Sequence, residues 1–182
     1  NKDSLYTPSM DFTGYSHMYV TYDVWFYGFY WSTPGDYEVA ALAASIDGGK
    51  TWTQVAAVAC LEGYTKWYTV TYDLSAYANQ PNVKLAFTYD DLGNQTSGEA
   101  VDNIKVYVPD LYDVGVTSDY MLYLCKTGNS YTVDGILHNF GADTITSFRL
   151  NYSVNGGPTV SDNIASVSIN PLTDYIFSHS TL

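Results

Sequence analysis

The chain has 182 residues, of which 46% are hydrophobic and 16% aromatic, so it is long enough for one or two packed cores and unlike a disordered polymer. Only 7 Lys and Arg stand against 19 Asp and Glu, a net charge of -12, which argues against nucleic acid and anionic lipid as partners. No apolar run approaches the roughly 20 residues that span a bilayer, so no membrane insertion is expected.

Strand patterns predominate from the N-terminus onward, and no window keeps a helical period. The first clear strand reads HMYVTYDVWFY, in which alternate residues predict one core face made of Met18, Val20, Tyr22, Val24 and Phe26. Leu85, Phe87, Ile104 and Val106 of later strands are also predicted to be buried. The further strands of the first half are predicted at Tyr37 to Ile46, Thr51 to Val58, Trp67 to Asp73, Val83 to Tyr89 and Val101 to Val108. Turn clusters separate these strands, which is typical of a β-sandwich.

The segment SIDGGKTW, from Ser45 to Trp52, has the pattern of an Asp-box. We interpret it as a hairpin in which the Asp-Gly-Gly turn supplies positive φ, the side chains of Ser45 and Asp47 accept from backbone N–H groups, and Trp52 covers the turn. A sialidase would need several such boxes and an arginine cluster, whereas this chain has one box and one arginine, Arg149. The box is therefore predicted to be structural.

The segment VYVPDLYDVGV ends one strand at a proline and begins another, which predicts a boundary between Val108 and Asp113. The two predicted domains are residues 1–109 and 110–182. Strands of the second are predicted near Tyr112 to Thr117, Tyr131 to His138, Thr144 to Val154, Ala165 to Ile169 and Asp174 to Ser178. Cys60 and Cys125 fall in different predicted domains, which favours free thiols over a disulfide.

Four segments together carry a family resemblance: LYTPSMDFTGY, the Asp-box, WYTVTYDLSAYANQPNVKLAFTY and GEAVDNIKV. Their order resembles the cleaved-adhesin or choice-of-anchor J family, jelly-roll modules of secreted and surface proteins of Bacteroidetes that include the adhesin regions of gingipains. The resemblance covers Leu5 to Val108 and implies a galactose-binding-like jelly roll. Such modules usually carry further strands before this point, so the resemblance implies missing upstream strands or a trimmed variant.

The second half, with YDVGVTS and YTVDGILHNFGADTITSFRLNYSVNGG, resembles the immunoglobulin-like modules that often follow such jelly rolls. The expected fold is therefore all-β, a jelly-roll β-sandwich followed by an immunoglobulin-like β-sandwich. The resemblance implies a non-catalytic adhesion or ligand-binding region, secreted or on the cell surface, with a glycan or a host or matrix protein as partner. The alternative is a structural spacer in a larger secreted enzyme such as a peptidase.

The resemblance also implies a structural calcium ion, because the last strand of the family begins with paired acids before an isoleucine. The pair reads Asp102-Asn103 here, so Asp102 is the expected ligand, and its second acid is replaced by an amide. Asp11, Asp23 and Asp36 are the candidate further donors, since calcium takes six to eight oxygens. The alternative reading of Asp102 is a cap at the start of a strand.

Ligand contact is predicted in the loop GFYWSTPG, where Phe29, Tyr30 and Trp31 lie between two strands and no periodicity requires their burial. Aromatic faces stack on sugar rings and anchor protein interfaces; the alternative is that these three side chains pack under the loop or against the second domain. No nucleophile elbow, phosphate loop or paired glycosidase acids are present, so the chain is expected not to be an enzyme.

Overall fold

A computed structural model describes residues 2–26, 38–58, 66–93, 98–119, 132–153 and 156–180. Strands make up 61% of these residues, and the only helical element among them is a 3₁₀ turn at Ser75–Tyr77. The fold class is therefore all-β, as the alternating patterns predicted. No helix in the described part of the chain is long and apolar enough to cross a membrane.

The chain divides into two compact units, Asn1–Val108 (unit 1) and Pro109–Leu182 (unit 2). The described residues of unit 1 form two antiparallel sheets, with strand orders β1-β6-β3-β4 and β5-β2-β7. Their strands are β1 Lys2–Tyr6, β2 Tyr19–Phe26, β3 Val39–Ser45, β4 Thr53–Val58, β5 Tyr68–Asp73, β6 Lys84–Asp90 and β7 Glu99–Tyr107.

The core of unit 1 lies between these two sheets and contains the predicted inward face of β2. All five residues of that face are buried, and so are Leu85 and Phe87 of β6, as predicted. The β2 ring of Tyr22 meets Phe87 edge-on, with 4.9 Å between ring centroids. Tyr19, assigned by alternation to the outer face of β2, is also buried, because it packs against the ring of Tyr107.

The prediction that Ile104 is buried is wrong, because β7 contains a β-bulge. Thr21 pairs with Lys105 and Asp23 with Asp102, so that Asn103 and Ile104 together face Tyr22. Asn103 has a φ of 52°, and the extra residue takes the chain out of the regular pleat. Ile104 is 38% exposed. Val106, beyond the bulge, packs against the core but is only partly buried.

The Asp-box forms the predicted hairpin turn between β3 and β4. The backbone N–H groups of Lys50 and Thr51 donate to Asp47 Oδ1 at 2.9 and 3.0 Å, and the Thr51 hydroxyl donates to Oδ2 at 2.7 Å. Ser45 Oγ accepts from Gly49 N at 2.9 Å. The indole N–H of Trp52 donates to the Gly49 carbonyl at 3.1 Å, so the tryptophan covers the turn. The motif closes a hairpin with its own side chains.

Replacing Asp47 with alanine is expected to lower the melting temperature of unit 1 at pH 7. The hydroxyl and N–H of Thr51, with Ser45 and Lys50, hold the pKa of Asp47 far below its usual range. A carboxyl with a depressed folded pKa stabilises the fold above its unfolded pKa, and this contribution is lost as pH falls through the folded value. The difference between wild type and Asp47→Ala should therefore shrink below about pH 4 in melts followed by tryptophan fluorescence. Equal melting temperatures at pH 7 would show that the carboxylate adds nothing.

In the described part of unit 2, the strands form a three-stranded antiparallel sheet, β12-β9-β8, and a two-stranded one, β10-β11. Its strands are β8 Val114–Asp119, β9 Thr132–Asn139, β10 Ile145–Tyr152, β11 Val160–Ile169 and β12 Asp174–Ser180. Phe148 of β10 meets Tyr175 and Phe177 of β12 edge-on, which places the two sheets face to face. A Cβ at Gly135 would come within 2.7 Å of both the Phe177 ring and the Ser118 carbonyl, so β9 requires a glycine there.

The strand β1 and the first half of β11 were not predicted. β1 was not predicted, because all five of its residues are exposed and they do not alternate. It forms through backbone pairing with β6, from Lys2↔Asp90 to Tyr6↔Ala86. β11 begins at Val160 and not near Ala165, because its polar first half pairs with Arg149–Tyr152 of β10. In both cases pairing with another strand determines the conformation; the partner of β1 is distant in sequence, and the partner of β11 is the preceding strand.

Candidate functional site

The two sheets of unit 1 differ in their number of described strands, four against three, and a cleft lies where the smaller sheet ends. β2 lies over β6, since the Tyr22 ring contacts Phe87 and the Phe26 ring contacts Tyr89, with centroids 4.9 and 6.3 Å apart. β5 lies toward β4, since the Tyr72 hydroxyl donates to the Ala57 carbonyl at 3.5 Å. Among the described strands, the three-stranded sheet therefore ends at β7 on the side of β1, and β7 leaves part of the inward face of β1 uncovered, since Leu5 is 54% exposed.

A cleft of about 450 Å³ occupies this space. It is lined by β1, β6 and β7 through Asp3, Ser4, Leu5, Phe87, Tyr89, Glu99, Ala100 and Val101. Because Leu5 pairs with the buried Phe87, its side chain is on the inward side of β1, yet it is 54% exposed. The cleft is thus a continuation of the core that is open to solvent.

Glu99 brings a carboxyl into this apolar cleft. It pairs with Phe26 across β2 and β7, so both side chains are on the core face of the sheet. Glu99 Oε1 is buried and has no hydrogen-bond partner among the described residues. Burial raises the pKa of Glu99 to about 7, since the charged form loses its hydration. At neutral pH this group can therefore either carry a proton or accept a cation.

A second polar group near the cleft also lacks a partner. Tyr22 is 1% exposed, and its hydroxyl forms no hydrogen bond with any described residue. Burial first, and then the neighbouring Tyr72 and Glu99, raise the pKa of Tyr22 above its usual range, so the phenol stays protonated. Tyr89, which lines the cleft, donates its hydroxyl to Glu38 Oε2 at 2.8 Å. The cleft thus contains one unpaired carboxyl, and the unpaired hydroxyl of Tyr22 lies in the core outside the cleft lining.

The stability of unit 1 is expected to depend on Glu99 between pH 4.5 and 8. The folded pKa of about 7 lies above the ordinary value of 4.5, so the folded state holds a proton that the unfolded state has lost. Stability from this group is therefore full below pH 4.5 and falls as the pH rises through 7. Asp3 and Tyr89 line the same cleft, and Tyr22 and Tyr72 lie close enough for the charge of Glu99 to add to the effect of burial in raising their pKa values.

The variant Glu99→Gln keeps the shape of the side chain and removes the titration. Its stability relative to wild type should rise by about 1 to 2 kcal/mol between pH 4.5 and 8, a figure reduced for solvent at the cleft mouth. Urea unfolding followed by tryptophan fluorescence measures this difference, because all four tryptophans lie in unit 1. A difference that stays constant over this pH range would show that Glu99 is ordinarily solvated.

Asp102, the predicted calcium ligand, lies on the outward face of β7 next to the bulge and not at the start of the strand. Its Oδ1 accepts from the N–H of Asn103 at 2.7 Å. Asp23 is its neighbour across β2, and the carboxylate of Asp23 accepts from the Asn103 amide at 2.7 Å and from the Thr69 hydroxyl. Those two donors hold the pKa of Asp23 below its usual range.

Among the described residues, these side chains bond to one another. Asp23 accepts from the Asn103 amide and the Thr69 hydroxyl, whereas calcium takes six to eight oxygens. Asp11, another candidate donor, accepts from the N–H of Thr13 at 2.9 Å within its own turn. No group of three or more His, Cys, Asp or Glu in the described segments could hold a metal ion. Calcium binding stays a prediction from the family resemblance.

Several other predicted sites fall outside the described residues. The aromatic loop of Phe29, Tyr30 and Trp31 lies there, as do Asp36 and both cysteines, Cys60 and Cys125. The loop directly follows Phe26, the last residue of β2, and Phe26 pairs with Glu99 of the cleft. Ligand contact by this loop stays a prediction.

Unit 2 contains one acid-base pair of interest. His138 Nδ1 lies 2.7 Å from Asp174 Oδ1 on neighbouring strands of the three-stranded sheet. The His138 ring also contacts Phe140, with centroids 4.5 Å apart. Within the described segments, no hydrogen bond joins this pair to a serine, threonine or cysteine. The pair therefore ties β9 to β12, and these contacts do not extend it to a nucleophile.

The cleft was not predicted from the sequence, although part of its signal is present. Glu99 and Val101 are two residues apart, so in a strand they share a face with one another. The predicted strand began only at Val101, which left Glu99 in a loop.

No protein-family model matches this chain, and no curated protein is significantly similar to it. The resemblance to the cleaved-adhesin family is therefore an unconfirmed prediction.

Proposed function

We propose that this chain is a non-catalytic adhesion or ligand-binding region of a secreted or cell-surface protein, and that unit 1 binds a glycan or protein partner through the cleft between β1 and β7. The cleft is the observation that carries the proposal. It is about 450 Å³ in volume, within the range of ligand sites in proteins, and it combines apolar walls with one unpaired carboxyl.

The composition of the cleft supports binding more than catalysis. Glycosidases use two carboxyl groups in defined positions on either side of a sugar bond. Asp3 and Glu99 both line the cleft, but Asp3 lies on the exposed strand β1 with nothing holding it opposite Glu99 among the described contacts. Leu5, which is 54% exposed, offers apolar surface to a partner at the same place.

A glycan array and a panel of extracellular matrix proteins test this proposal directly. Wild type should bind at least one member, and the cleft variant Leu5→Glu should lose at least tenfold in affinity, because it adds a charge to the apolar wall. Gln54→Glu is the matched control, since Gln54 is exposed on β4 at the opposite edge of the same sheet. Its binding should equal that of wild type.

Two results would contradict the proposal. If neither panel shows binding, the interpretation as a structural spacer in a larger secreted enzyme replaces it. If a partner binds but Leu5→Glu and Gln54→Glu both behave as wild type, the binding surface lies elsewhere on the chain. Circular dichroism of both variants shows whether the all-β fold is retained.

A further inference from the structure

We propose that the cleft is a docking groove for an extended, basic segment of a partner protein, which adds to β7 as a further strand and places a lysine or arginine beside Glu99. The inference rests on the proposed function and specifies the partner of the same cleft. Its structural basis is the partly uncovered inward face of β1, the edge of β7 that pairs with no described strand, and the charges that line the space between them.

The open edge of β7 provides backbone groups for such a strand. β7 pairs with β2 on one side, and no strand pairs with its other side among the described residues. Its first four residues, Glu99–Asp102, precede the bulge and keep regular register with β2 from Phe26 to Asp23. Unpaired strand edges readily accept an added strand, because the strand satisfies their N–H and C=O groups.

An added strand would also cover the apolar surface that the unequal sheets leave exposed. With a strand beyond β7, the smaller sheet would have four strands and would extend over the inward face of β1. Leu5 lies on that face and is 54% exposed, and Val101 of β7 borders the same cleft. Alternate side chains of the added strand would point inward and pack on these two residues.

The carboxyl groups that line the cleft favour a basic segment as its partner. Asp3 and Glu99 line it, and no lysine, arginine or histidine does so among the described residues. Lys2 is next in sequence, but its Nζ bonds to Asp90 at 2.9 Å. An ammonium or guanidinium group from the partner would meet Glu99 Oε1, which is buried and unpaired. Burial of a charge is costly without such a partner.

A protein segment fits these features better than a glycan does. Sugar rings bind by stacking on exposed aromatic faces. In this cleft, Phe87 is only 3% exposed, and the hydroxyl of Tyr89 is already bonded to Glu38. The exposed surface consists of aliphatic side chain, carboxylates and strand backbone, which an extended peptide complements.

Titration calorimetry with synthetic peptides tests the inference. The probes are acetylated and amidated peptides of about ten residues that alternate valine and threonine, with lysine, glutamine or glutamate at the centre. The lysine peptide should bind unit 1 in the intact chain at least tenfold more tightly than the glutamine peptide, and the glutamate peptide should bind most weakly. Hydrogen exchange should slow in Glu99–Asp102 on binding and stay unchanged in β4.

The variant Glu99→Gln separates charge pairing from strand addition. It should still bind the peptides but lose the preference for lysine over glutamine. Asp73→Asn is the matched control, because it removes one carboxylate from β5, at the opposite edge of the same sheet. It should keep the preference. A preference that survives in Glu99→Gln would overturn the assignment of Glu99.

Other outcomes identify other occupants. If no peptide binds while the glycan array or matrix panel is positive, the strand inference is overturned and the proposed function stands. If neither the peptides nor any member of the glycan and matrix panels binds, the strand inference and the proposed function are both wrong. If the protein alone is a dimer by analytical ultracentrifugation, and Leu5→Glu makes it a monomer, a second copy of the chain occupies the groove and the partner-segment inference is wrong.

Discussion

Replacing Phe26 with alanine is expected to lower the free energy of unfolding of unit 1 by about 3 to 5 kcal/mol, the usual cost of removing a buried aromatic ring. Phe26 is 1% exposed and lies in the core between the two sheets of unit 1. Its ring meets Tyr89 edge-on at a centroid distance of 6.3 Å, so alanine would remove that contact and leave a cavity beside Glu99. Urea unfolding followed by tryptophan fluorescence measures the loss, since no tryptophan lies in unit 2.

Ile104→Ala is the matched control for this experiment. Sequence alternation assigns Ile104 to the same core, whereas the structure leaves it 38% exposed at the bulge of β7. Its truncation should cost less than about 1 kcal/mol, as expected at a partly exposed position. Equal losses for Phe26→Ala and Ile104→Ala would contradict the bulge and the burial derived from it.

Replacing Asn139 with alanine is expected to destabilise unit 2 by about 2 to 5 kcal/mol, because buried hydrogen-bonding groups left without partners cost about 1 to 3 kcal/mol each. Asn139 is fully buried at the end of β9. Its amide donates to the carbonyls of Asp143 and Ile169, both at 2.9 Å, and its Oδ1 accepts from the N–H of Gly141 at 2.9 Å. This one side chain joins β9, the loop after it and the end of β11.

Differential scanning calorimetry combined with hydrogen exchange measures this loss of stability, since tryptophan fluorescence does not report on unit 2. Amides of β9 and β12 should exchange faster in Asn139→Ala, while those of β2 and β6 keep their wild-type protection. Asn163→Ala is the matched control, because Asn163 is exposed on β11 and its Oδ1 accepts a hydrogen bond from Arg149 at the surface. If both asparagine variants unfold alike, the buried network contributes little.

The local sequence predicted the features that arise from nearest neighbours along the chain. The alternation in β2 identified its buried face, because successive side chains of a strand point to opposite sides and only one side of this sheet meets the core. The hairpin from Ser45 to Trp52 was equally predictable. Its glycines permit positive φ, and its side chains bond within the same turn.

Pairing between distant segments decided the rest. β1 has no pattern of its own and is a strand because β6 supplies its hydrogen bonds. The bulge that exposes Ile104 depends on the register between β2 and β7, which are about 80 residues apart in sequence.

The sequence by itself therefore determined that this protein is all-β and which face of β2 is buried, because side-chain periodicity is a local property. Only the tertiary structure decided that the smaller sheet ends at β7 within the described part of the chain, with a cleft beside β1 that is lined by Glu99. The number of strands in each sheet and the side on which they end depend on contacts between residues far apart in the chain. Local periodicity contains no information about those contacts.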